Sequence, residues 1–138
     1  MASGSSEIGD ERLGLAARSD LGHALRRGGR LMEAMAIYRE TIGGSIHLGH
    51  RGAVANQLEN IAYVAVETDQ PERDARLLGA AVAIRAAAEA PMAMEERPEF
   101  DSFVERLRSV LSADVFTAEW DAGGRLSLAE AISLARAA

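Results

Sequence analysis

Residues 21–38 read LGHALRRGGRLMEAMAIY. Apolar or small side chains stand at Leu21, Gly22 and Leu25, and again at Leu31, Ala34, Met35 and Tyr38. Steps of three and four put each set on one face of a helix. Gly28-Gly29 lies between the two sets, and glycine takes the positive φ of a helix end at no steric cost. The stretch therefore predicts two helices joined by a tight turn and packed antiparallel. Gly22 and Ala34 are small enough to let the two axes approach, and Leu25 and Tyr38 fill the space beside that contact.

Working outward, the first helix is expected over residues 11–27, with Leu13, Ala17, Leu21, Ala24 and Leu25 as its apolar stripe. Residues 1–10 (MASGSSEIGD) lack periodicity and read as a disordered lead or a remnant of expression. Residues 11–138 read as a single helical domain. The second helix is expected over 31–42, ended by Gly43-Gly44, and a linker over 45–49. The third, over 50–68, carries Val54, Leu58, Ile61, Ala62 and Ala65 on one side. Pro71 opens the fourth, over 71–90, because a first-turn position needs no N–H. That helix is apolar on more than one side, as for one buried between neighbours. Pro98 opens the fifth, to Leu111, with Phe100, Phe103, Val104, Leu107 and Val110 on its stripe. A sixth, over 113–122, places Phe116 and Trp120 in the core and stops at Gly123-Gly124. Ser127 and Glu130 form a capping box for the seventh, which turns Ala131, Ile132 and Ala135 inward.

The fold class is thus all-α, with about seven helices. Composition agrees: aromatics are 4% of the 138 residues, so small and aliphatic side chains must build the core. The net charge of −6 argues against a nucleic-acid binder, which needs a basic face. All 15 cations are arginine, a bias expected of a GC-rich genome. Without cysteine there is no thiolate nucleophile, disulfide or cysteine-based metal site. No apolar run reaches the ~20 residues of a membrane span, and no signal-peptide pattern opens the chain. A cytoplasmic location, without membrane or cofactor, is the expectation.

The pattern Leu21-Gly22-x2-Leu25 followed by Ala34-x3-Tyr38 resembles the tetratricopeptide repeat. Asp69-Gln70, Ala75 and Gly79 make a weaker second match. Residues 71–81, PERDARLLGAA, resemble the PERAARLLGAA segment near the C-terminus of large bacterial LuxR-type and ATPase–adenylate-cyclase-type regulators. Residues 116–132, FTAEWDAGGRLSLAEAI, are similar to the close of the same proteins. The resemblance implies a helical-repeat docking or sensing segment of a signalling or transcriptional regulator, with a C-terminal helical cap. Its partners would be another protein, the parent regulator's other domains, or a second copy. Walker-type glycine loops and basic recognition helices, which the whole regulators carry, are missing from this sequence.

No catalytic constellation has local support, so a non-catalytic interaction module is expected. A small-molecule effector sensor using the same surface is the alternative. In a tetratricopeptide array the first helix of each hairpin lines the concave side. Here that side would hold Ser19, His23, Arg26, Arg27, Gln57, Asn60, Val64 and Glu67, a set able to grip a carboxylate or an extended peptide. Leu13, Leu15 and Leu31 are the candidates for self-association at the array's open end. His47-x2-His50 has metal-ligand spacing but no evident third ligand, so the pair reads as solvated. The acids of residues 95–101 suit the positive end of a helix dipole.

Overall fold

The computed structural model describes residues 4–65 and 69–138, with side chains from Gly9 onward. Among the described residues the chain is all-helical: α1 (Gly4–Arg27), α2 (Leu31–His47), α3 (Arg51–Ala65), α4 (Pro71–Ala88), α5 (Arg97–Val110), α6 (Ala113–Gly124) and α7 (Leu128–Ala137). A single 3₁₀ turn, Met94–Glu96, leads into α5.

The first four helices follow one another antiparallel. Gly22 of α1 lies against Tyr38 and Ile37 of α2, and Leu15 lies against Gly44. The close approach expected of Gly22 is present: a methyl there would come within 2.9 Å of the Tyr38 ring. Between α2 and α3, Tyr38 reaches Asn60 and Thr41 reaches Gln57. Between α3 and α4, Arg85 returns to Glu59. The core runs through α2, α3 and α4, where Tyr38, Ile42, Leu58, Ile61, Leu77 and Leu78 are fully buried. Helix α6 then packs antiparallel on α4, while α7 closes the bundle against α2, α3 and α4.

Local signals explain most of the boundaries. Gly29 and Gly49 take positive φ after α1 and α2, and Pro71 and Pro98 stand in the first turns of α4 and α5. The Ser127–Glu130 capping box forms with both of its hydrogen bonds, 3.1 and 2.8 Å long. Ser112 caps α6 through the Val115 N–H.

Boundaries differ from the sequence expectation by two residues or more at α1, α2, α4 and α6, with α4 ending at Ala88 and not at residue 90. Helix α1 begins at Gly4, not Glu11, because a helix already nucleated extends into polar residues at little cost; residues 1–3 lie outside the described residues. Helix α2 runs through Gly43-Gly44 to His47, and α6 runs through Gly123-Gly124. Glycine is also the residue of close approach, and Gly44 and Gly123 serve that purpose. Leu15 packs where a Gly44 side chain would be, and Gly123 lies buried on the α4 backbone at Arg76.

Of the expected apolar stripe of α1 only Leu25 packs against the core; the rest faces the other way. Leu15, Ser19, Gly22 and Arg26 point into the molecule, while Leu13, Ala17, Leu21 and Ala24 face outward. Trp120 is only half-buried, packed on the edge of the core.

Candidate functional site

The concave-side candidates come together, but as a closed seam. Ser19, on the inner face of α1, accepts a 2.9 Å hydrogen bond from the Gln57 amide. The Gln57 carbonyl oxygen in turn accepts one from the Thr41 hydroxyl at 2.9 Å. Gln57 and Asn60 are buried, as is Val64. Asn60 donates to the Asn56 carbonyl and accepts from the Tyr38 hydroxyl at 3.4 Å. The same hydroxyl is hydrogen-bonded to His23 Nδ1 at 2.8 Å. Burial, with Arg26 and Arg27 nearby, holds the His23 pKa below its usual range.

Arg26 makes a two-pronged pair with Glu99 of α5, both bonds 2.8 Å, and its guanidinium lies 5.3 Å from the Tyr63 ring centroid. Tyr63 meets Phe103 of α5 at 4.9 Å. Helix α5 is thus laid across α1 and α3 over the surface where a peptide would lie. What remains is a notch of about 40 Å³ bordered by His23, Arg26, Arg27, Asn60, Tyr63 and Glu99. Arg27 is exposed at its rim, and Glu67 lies outside the described residues. The expected groove is therefore a polar seam whose hydrogen-bonding capacity is turned inward. Buried amides need partners, and α1, α2 and α3 itself supply them.

The self-association candidates separate. Leu13 is 72% exposed. Leu15 is turned inward on Gly44, and Leu31 is half-buried against the core, so neither is part of an open face. Leu21 at 43% exposure and Met32 at 89% join Leu13 on the outer surface instead.

A second surface escaped the sequence reading. Helices α5 and α6 diverge to leave an open cleft of about 530 Å³. Phe100, Val104, Phe116 and Trp120 line it, and Asp101, Glu105, Arg108, Thr117 and Asp121 form its rim. Trp120 stacks on Phe116 at 5.3 Å and meets Phe100 edge-on at 6.3 Å. Arg108 lies over the Phe116 ring at 4.3 Å, and Arg97 over Phe100 at 5.4 Å. The signal was present in the sequence. Phe100/Val104 and Phe116/Trp120 are i,i+4 pairs, each followed by a carboxylate one residue on.

His47 is exposed at the end of α2, and His50 Nδ1 accepts the Ala53 N–H at 3.0 Å, capping α3. Among the described residues no three His, Asp or Glu side chains are grouped to hold a metal ion. No helix among them is long and apolar enough to cross a membrane. Comparison with protein-family models, with characterised proteins and with solved structures finds no match to this chain.

Proposed function

We propose that the chain is a non-catalytic interaction and oligomerisation module of a bacterial transcriptional or signalling regulator, acting in the cytoplasm. Its antiparallel hairpins α1/α2 and α3/α4 are of the tetratricopeptide kind, with α5–α7 as the cap. The observation that supports this reading best is the outer face of α1. A helix with an unpartnered apolar stripe marks a contact surface. Leu13, Ala17, Leu21 and Ala24 form that stripe, and Met32 stands exposed just past the turn.

The natural occupant is α1 of a second copy. Positions 13 and 21 are equidistant from Ala17, so a two-fold axis there sets Leu13 of one copy against Leu21 of the other. Antiparallel pairing also brings the Asp10 and Glu11 end of one helix toward the Arg27 end of the next. At 24 residues α1 is about 36 Å long, enough for the ~1,000 Å² that a specific dimer buries. Alanines at the crossing let the helices pack closely.

Sedimentation velocity at micromolar concentration tests this. A dimer is expected for the natural sequence and a monomer for the Leu13→Glu, Leu21→Glu variant, with unchanged far-UV circular dichroism. A natural-sequence chain that stays monomeric throughout that range overturns the α1 interface.

A further inference from the structure

We propose that the cleft between α5 and α6 is a docking site for a basic amphipathic helix of a partner protein. None of its lining residues belongs to the self-association face of α1.

Shape argues first. Helix α5 borders the cleft along two turns, from Phe100 to Arg108, a span of about 12 Å, and α6 along a shorter stretch, from Phe116 to Asp121. Two helices that splay apart in this way present a trough, and a third helix fills a trough with side chains at i, i+3 or i+4, and i+7. The floor is apolar and built mostly of rings, which supply large contact area at low entropic cost. It is open to solvent along its length, so an occupant that covers the whole floor brings an extended apolar stripe of its own.

Charge selects among such stripes. Asp101, Glu105 and Asp121 rim the cleft against a single arginine, Arg108. Arg97 pairs with Asp101 at 3.5 Å, but Glu105 and Asp121 have no ion pair among the described residues. An acidic helix would be repelled, and a neutral one would leave the carboxylates to water. A helix with arginine or lysine beside its apolar stripe satisfies floor and rim together. The chain already places guanidinium groups over these rings: Arg108 covers Phe116 and Arg97 covers Phe100. Cations are drawn to aromatic faces most strongly where water is excluded, and the half-buried Trp120 carries no such cover in this fold.

Trp120 is the only tryptophan, so its fluorescence reports on the cleft directly. The probe is a synthetic four-turn helical peptide with leucines at i, i+3, i+7 and i+10 and arginines flanking them. Titrations use the Leu13→Glu, Leu21→Glu background, so that self-association makes no contribution. Saturable change in Trp120 emission at micromolar peptide is expected, weakening with added salt. Charge reversal at three exposed positions, Asp101→Arg, Glu105→Arg and Asp121→Arg, should weaken binding at least tenfold while leaving the melting temperature near its starting value. Three results would each overturn the proposal. One is equal binding by a peptide with glutamate in place of every arginine. Another is undiminished binding by the charge-reversed variant. The third is a full response to agmatine alone, which would make this a small-cation site.

Discussion

Asp74 stands in the first turn of α4, fully buried, and neither of its oxygens has a hydrogen-bond partner among the described residues. Desolvation pushes its pKa to about 7, with Arg73 pulling down and Glu72 pushing up. The folded-state value is therefore far above the unfolded one. Such a group favours the folded state fully below about pH 4, and the advantage is lost as pH rises through about 7. A displacement of this size corresponds to roughly 4 kcal/mol. Asp74→Ala should therefore raise the melting temperature at pH 8 by several degrees and change it little at pH 4. Thermal melts across that range check it, and equal gains at both ends would mean that the carboxylate is not the source. The residue scale also shows what sequence alone missed. Gln57, Asn60 and Arg26 are expected to line a groove because the first helix of each tetratricopeptide hairpin faces the concave side. Hydroxyls on α2 and a carboxylate on α5, distant in sequence, turned them inward instead.

At the scale of elements, the tightest junction is α4 on α6. Gly79 lies on the backbone at Trp120 and Gly123 on the backbone at Arg76, so a side chain at either would strike main-chain atoms. Arg76 and Glu119 pair at 2.6 Å across the same junction. Gly123→Ala should cost roughly 3 kcal/mol, the upper range for overpacking. Gly124→Ala is the control. Its nearest neighbours are 4.0 Å away, and alanine in a helix is favoured over glycine by about 1 kcal/mol. Denaturant melts should separate the two neighbours by several kcal/mol, and matched values would show that the helices can part without penalty. Helix existence and capping were legible here because propensity, proline and capping signals are local. Whether a glycine pair ends a helix or admits a neighbour was not, because both uses favour the same residue and only the partner helix decides.

At the scale of the whole molecule, Arg26 and Glu99 join the first and fifth helices across 73 residues of chain. They fix α5 beside the α1–α3 seam, and α1 keeps Leu13 and Leu21 outward. An amphipathic stripe reads the same whether its cover lies within the chain or on another copy, so this orientation was not legible from residue spacing alone. If the cover is a second copy, melting temperature should rise with protein concentration. The Leu13→Glu, Leu21→Glu variant should lose that dependence, and calorimetry over a hundredfold dilution series measures both. The α4–α6 junction and the α1 stripe also make different demands on descent. Main chain pressed on main chain at Gly79 and Gly123 penalises every other amino acid whatever the protein is used for, so kinship would preserve those glycines even in lineages that had abandoned the role. Leu13 and Leu21 are bound by no such internal geometry. In a set of relatives they would drift freely wherever no second chain rests on them, and their persistence beside the glycines would be the hereditary trace of an interface.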